Sequence, residues 1–416
     1  MGGGLLQLVA YGAQDVYLTG NPQITFWKVS YRRYTNFSME SIQQSFTGGS
    51  SLDNFNQRVS CQIARNGDLI HKIYLEATLG YSSGNDQIAA TATFNIPSGN
   101  IIKTVEVEIG GQTIDKHYGE WGLIWNSLSM PIGKQNGIIN MTQSVVVHIA
   151  NQNINGFPVQ IPFEFWFCRN PGLALPLIAL QYHEVKINIE FGNRAQLKSN
   201  AGEDSPIMNL QSPSLWVDYI FLDTDERRRM AQNPHEYLIE QLQFTGEQSI
   251  ITGQNNLVMN FNHPVKEIIW VATQRSIGQA ATGAAATSLS SALDLPNDQI
   301  TPITIQPVSA NIKLNGQDRF ETRSGDYFTF IQPYQHHSNS NSTITWEGAS
   351  ITYLPCVYSF ALRPEEHQPS GTCNFSRIDS AILSVNYAAA GFIRIYATNY
   401  NVLRIMSGMG GLAYSN

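Results

Sequence analysis

Four short segments of this chain recur in the same order about 200 residues further on, which marks one folding unit used twice. Gln43-Gln44-Ser45-Phe46-Thr47-Gly48 returns as Gln241-Leu242-Gln243-Phe244-Thr245-Gly246. The run from Ile70 to Thr78 returns from Val265 to Thr273. Ile109-Gly110-Gly111-Gln112, followed by Gly119-Glu120-Trp121, returns as Leu314-Asn315-Gly316-Gln317, followed by Gly325-Asp326-Tyr327. Phe167, Arg169 and Pro171 return as Phe360, Arg363 and Pro364. The spacing drifts slightly, as loop insertions would make it drift. A chain of 416 residues has room for two such units, each large enough to bury its own core.

The repeated unit is a β-domain. Val105, Val107 and Ile109 alternate with Glu106, Glu108 and Gly110, and Val185, Ile187, Ile189 and Phe191 alternate with Lys186, Asn188 and Glu190. Val159, Ile161, Phe163, Phe165 and Phe167 alternate with Gln160, Pro162, Glu164, Trp166 and Cys168, and Ile393 and Ile395 flank Arg394. A period of two places one face of each segment in a core and the other in water or against a second layer. Each copy offers about eight strands, which fits the jelly roll of two packed four-stranded sheets. The expected class is therefore all-β: two tandem eight-stranded antiparallel jelly-roll β-sandwiches, a double jelly roll, with short helices in loops and linker.

Helical signals are few. Trp121 to Leu128 predicts a short helix. Asp223 to Ala231 predicts another, with a capping acid, acids in its first turn and Pro234 as its stop. Its Arg227, Arg228 and Arg229 read as a solvated face paired with Asp223, Asp225 and Glu226. The expected division is an N-terminal arm (1–24), a first jelly roll (25–222), a linker helix (223–235), a second jelly roll (236–400) and a C-terminal tail (401–416) with a flexible Gly408-Met409-Gly410-Gly411. Three stretches read as irregular loops: Lys198 to Ser214, Ala280 to Pro296 and the polar run Gln335 to Ser342.

Charge narrows the function. Charged residues make up 14% of the chain, against about 25% in ordinary soluble domains, and the net charge is −7. The 34 Asn and 29 Gln outnumber the 25 basic and 32 acidic residues together. Direct nucleic-acid binding is not expected, because a phosphate-gripping surface needs a basic stripe. A surface depleted in charge and rich in Tyr suits a protein packed against copies of itself.

No run of 18 apolar residues crosses a membrane. Gly2 lacks the downstream Ser or Thr of a myristoylation signal, since Leu6 stands there. Cys61, Cys168, Cys356 and Cys373 form no Cys-x-x-Cys and read as buried thiols in a reducing compartment. The nine histidines include no His-x-His, and His336-His337 falls in the polar loop. No nucleophile elbow or phosphate loop occurs. The expectation is no enzyme, no catalytic residue, no metal and no cofactor. The Asn-x-Ser/Thr sites at Asn36, Asn140, Asn341 and Asn374 are no more than chance supplies, and Asn341, in the polar loop, is the one expected to be exposed and hence the candidate for glycosylation.

Leu8-Val9-Ala10-Tyr11-Gly12-Ala13-Gln14-Asp15-Val16-Tyr17-Leu18-Thr19-Gly20-Asn21-Pro22-Gln23-Ile24-Thr25-Phe26 closely resembles the opening of the major capsid proteins of nucleocytoplasmic large DNA viruses, the iridovirus and phycodnavirus type. The likeness continues through Tyr31 to Phe37, Val105 to Tyr118, Asp223 to Gln243 and the ending from Asn399 to Tyr414. Trp27 and Tyr34 stand where the family often has Phe and His. The resemblance implies a homotrimer whose six sandwiches form a pseudo-hexagonal capsomer that tiles an icosahedral shell. It also implies smaller capsid proteins cementing the inner face, penton proteins as further partners, an internal membrane nearby without insertion, and assembly in a host cytoplasmic factory. The rival reading is a carbohydrate-binding double β-sandwich, in which the aromatics stack on sugars.

Overall fold

The computed structural model describes residues 3–10, 12–24, 26–27, 31–49, 53–82, 92–95, 98–142, 146–149, 157–193, 207–273, 304–339, 344–346, 349–351 and 354–414. The chain divides into two compact units, Met1–Phe37 and Ser38–Asn416. The larger unit begins well beyond residue 24, the expected end of the arm.

The first sandwich has eight main strands: β1 (Phe37–Ser45), β2 (Arg58–Gln62), β3 (Leu69–Ser82), β4 (Ile102–Ile109), β5 (Gln112–Tyr118), β6 (Phe157–Pro162), β7 (Val185–Phe191) and β8 (Ile207–Leu222). The second repeats the set as β9 (His235–Ile250), β10 (Gly253–Val258), β11 (Pro264–Thr273), β12 (Ser309–Leu314), β13 (Gln317–Asp318), β14 (Cys356–Ser359), β15 (Ala381–Tyr387) and β16 (Gly391–Met406). The first pair of sheets runs β1-β8-β3-β6 and β2-β7-β4-β5, and the second runs β9-β16-β11-β14 and β10-β15-β12-β13. Strand for strand, the order is the same. The fold is a double jelly roll, as the repeat requires.

Turn chemistry explains one of the echoes. β4 and β5 are joined by Gly110-Gly111, and β12 and β13 by Asn315-Gly316, all four at positive φ. That is the two-residue turn whose twist matches antiparallel strands. A Cβ on Gly110 would also lie 2.3 Å from the His183 ring. Between the sheets, the inward faces close over separate cores. Val59, Ile73, Leu75, Val107, Ile187 and Val217 belong to the first, and Ile268, Trp270, Ile312, Leu383, Val385 and Ile395 to the second. Each such side chain contributes on the order of 1.5–3 kcal/mol through burial.

Several sequence expectations fail, each for a physical reason. The Phe163–Phe167 alternation does not continue as strand: β6 ends at Pro162 and a helical turn follows at Trp166–Arg169. Phe165, Trp166 and Phe167 are all buried, which a half-exposed strand could not achieve. Within the supposed loop Lys198 to Ser214, residues 207–214 belong to β8, which bulges between Gln211 and Ser214 with Ser212 at positive φ. Ala280 to Pro296 lies outside the described residues. The C-terminal tail is no tail. β16 runs through residue 400 to Met406, turns at Ser407-Gly408 and returns as β17 (Met409–Leu412).

In the smaller unit, α1 (Gly3–Val9) exposes Leu5, Leu6, Leu8 and Val9, and Tyr17 and Leu18 are exposed on a second helical turn at Val16–Thr19. Asp15 accepts a hydrogen bond from the Gly12 N–H at 2.8 Å.

Candidate functional site

What the larger unit builds most elaborately is the seam between its two sandwiches. α2 (Gly119–Ser129) leaves β5 and lies on the outer face of β9-β16-β11-β14. Trp121, Ile124, Trp125 and Leu128, spaced three and four apart, form its apolar stripe. They pack on Leu242, Ile269, Val271, Val357 and Tyr396 of the second sandwich. One helix thus seals two domains.

Beneath the stripe lie charges that need partners, since an unpaired buried charge costs several kcal/mol. Glu120 accepts from Arg394 Nη1 at 2.7 Å and from the Tyr396 hydroxyl at 2.8 Å. Arg394 Nε reaches Glu247 at 3.0 Å. Burial, reinforced by Glu120, pushes the Tyr396 phenol well above its ordinary range, so it stays a donor. Asp115 accepts from the Leu242 N–H at 3.1 Å and lies 2.9 Å from His117 Nε2. Gln241 donates to the Ile114 carbonyl and accepts from Asn401. Arg169 pairs with Glu240 at 3.0 Å and lies 3.7 Å from the Trp125 ring centre. The same carboxylate meets Lys266 Nζ, fully buried, at 2.6 Å, and Lys266 also donates to the Pro364 carbonyl.

The described part of the polar loop, residues 335–339, proves structural. α4, numbered after the linker helix α3 (Thr224–Gln232), spans Gln332–His336 and follows a π-helical turn at Tyr327–Ile331. Beyond it the His337 ring is wholly buried, 3.1 Å from Glu267 and 3.0 Å from Glu365. The Glu267 contact is an ion pair rather than an aligned hydrogen bond. Burial alone would lower the His337 pKa, but the two carboxylates outweigh it and hold the group at about 9. Burial would raise Glu267, but His337 beside it holds the carboxyl well below its usual range. Two residues on, Asn339 donates from its backbone to the Leu128 carbonyl at 2.9 Å and from its side chain to Ser127 at 2.8 Å. The sequence carried no sign of this, because extended backbone would splay His336 and His337 apart.

The C-terminal hairpin ties the second sandwich to the first as well. Leu403 and Ile405 of β16 enter the first sandwich's core, with Leu412 of β17 packed beside them. The Gly410 N–H donates to His183 Nδ1 at 3.1 Å, and the Tyr182 N–H to the Gly408 carbonyl at 2.9 Å. In α3, Asp223 caps the Thr224 N–H, and Arg227 does not stay on its own helix as expected. It reaches Asp68 of the first sandwich at 3.0 Å. Asn341 lies outside the described residues. The four cysteines are free, and burial pushes the Cys61 and Cys356 thiols up to about 11 and about 12, so neither is a thiolate at neutral pH. Among the described residues, no three or more His, Cys, Asp or Glu side chains are placed to hold a metal ion, and no helix is long and apolar enough to cross a membrane.

Residues 25–223 match the family described as the major capsid protein N-terminus, and residues 226–411 match the large eukaryotic DNA virus major capsid protein. Along the full length of both chains, the protein is 51% identical to the major capsid protein of Pyramimonas orientalis virus. It is 44% identical, again along both full lengths, to that of Paramecium bursaria Chlorella virus 1. The quasi-atomic model of the PBCV-1 virus capsid superposes with a TM-score of 0.76 at 40% identity, covering 94% of this chain and all of that one. The Faustovirus major capsid protein shares the fold, with a TM-score of 0.68 at 13% identity over 95% of this chain and 94% of that one.

Proposed function

Because the chain belongs to the family of large eukaryotic DNA virus major capsid proteins, it is a shell protein, and we propose that it works as a homotrimer. Three chains, each with two sandwiches of one topology, supply six lobes, enough for a pseudo-hexagonal tile of an icosahedral shell. The observation that carries this reading is the locked seam. A tile must hold its lobes at fixed angles, and here apolar packing, buried ion pairs and the C-terminal hairpin bind one sandwich to the other.

The finer parts of the reading follow from the same chemistry. The arm's exposed leucines and Tyr17 serve contacts with minor capsid proteins beneath the shell, near an internal membrane that the chain does not enter, and penton proteins are further partners of the shell. The acidic balance keeps the chain off the genome. Assembly takes place in a host cytoplasmic factory, which suits free thiols. The chain carries no enzymatic role and no cofactor, and Asn341 is the residue that glycosylation would modify. The shell reading displaces the carbohydrate-binding one.

Native mass tests the trimer. Purified full-length protein is expected near 139 kDa, three times the 46.3 kDa chain. A stable 46.3 kDa species at micromolar concentration would count against it.

A further inference from the structure

The two sandwiches share a topology but not an environment, and the difference falls on one element. Aligned on the echoed Gly119 and Gly325, the docking residues Ile124, Trp125 and Leu128 of α2 correspond to Phe330, Ile331 and Tyr334 in the helical segment after β13. The first three are buried against the second sandwich. The second three are 45%, 45% and 78% exposed. Side chains three and four apart on a helical face that carry this much apolar surface are expected to have a partner.

The receiving face is duplicated as well. Under α2, Ile269 pairs in register with Tyr396 on one side and with Val357 on the other. In the first sandwich the corresponding strands pair Tyr74 with Trp216 and with Pro162. Ile269, Tyr396 and Val357 are buried. Tyr74, Trp216 and Pro162 are half-buried, and the Tyr74 and Trp216 rings stack with centres 6.3 Å apart. Among the described residues, a single chain thus joins this helix and sheet across its seam, while the counterpart helix residues and the Tyr74–Trp216 pair do not meet each other.

We propose that Phe330, Ile331 and Tyr334 of one copy dock on the Tyr74–Trp216 face of a second copy, repeating between chains the contact that α2 makes within a chain. The occupant is another copy because each half is the internal-repeat counterpart of a half already joined. Such a contact is head-to-tail, and a head-to-tail contact either closes into a ring or runs on as a filament. Alternating with the internal contact, it places the helix of each sandwich on the sheet of the next. The inference rests on the trimer reading and specifies which surfaces make the trimer.

The test uses the full chain. Ile331→Glu combined with Tyr334→Glu places charge on exposed positions, so the β-sheet circular dichroism should match wild type. The native mass should fall from about 139 kDa to 46.3 kDa, the mass of one chain. Separately, Tyr334→Cys and Tyr74→Cys chains are co-expressed and treated with a short bis-maleimide. A covalent dimer is expected above the wild-type background in the mixture and not in either variant alone. A double variant that remains trimeric, with no mixed cross-link, overturns the contact while the wild-type trimer stands. That includes the case in which it merely loses a minor capsid protein. A wild-type monomer would instead sink the trimer reading and this contact with it. Should the double variant aggregate, the mixed cross-link decides.

Discussion

His337 gives the sharpest consequence at the scale of single residues. Its folded-state pKa, about 9, lies above the ordinary 6.5 because Glu267 and Glu365 flank a buried ring. The stabilisation this linkage supplies is complete below pH 6.5 and is lost as pH rises through about 9. Its size is on the order of 3 kcal/mol. Thermal melts of the wild type should therefore fall across that window. His337→Gln should melt lower at pH 7 and show a flatter profile over the same window, and a parallel decline in both proteins would contradict the assignment. Glu267 works in the opposite direction. Its depressed pKa contributes stability that is present above its ordinary value and lost in acid. None of this was legible in the sequence. Adjacent histidines among Ser and Asn look solvated, and only the fold brings Glu267 and Glu365 to the ring.

At the scale of elements, the C-terminal hairpin is a clip rather than an appendage. Removing residues 407–416 deletes β17, its contacts to His183 and Tyr182, and the cover over Leu403 and Ile405. Loss of one such apolar side chain from its packing costs roughly 2 kcal/mol. The shortened chain should show a lower melting temperature and faster proteolysis near α3, where the sandwiches join. An unchanged melt would mean that the clip carries no load. The sequence misled here because Gly408, Gly410 and Gly411 read as flexibility, whereas Ser407-Gly408 is a tight turn and Gly410 sits where a side chain would strike Leu180. Other elements were legible. Val105–Ile109 and Val185–Phe191 are strands because their alternation meets one core, and the Gly110-Gly111 turn fixes Gln112–Tyr118 as a partner of the first. Trp121 to Leu128 announced a helix but not its target, since which sheet an apolar stripe covers is a tertiary matter. The Phe163–Phe167 run misled through its own regularity, for alternation cannot distinguish a strand from a segment and helical turn that bury Phe165, Trp166 and Phe167 in succession.

At the scale of the whole molecule, assembly depends on surfaces a lone chain leaves unused. The arm carries Leu5, Leu6, Leu8, Val9, Tyr17 and Leu18 in the open, a composition that tails left in water do not have. A chain starting near Thr25 should fold and trimerise, yet fail to form shells when co-expressed with the other shell proteins. Normal particles from it, seen by electron microscopy, would show that the arm is dispensable. The central claim is that each chain contributes two equivalent lobes to a closed ring of three chains. Class averages of purified full-length capsomers, viewed down their axis, test it most directly. Six lobes of similar size around a three-fold axis are predicted; three lobes, or particles the size of one chain, would contradict the account.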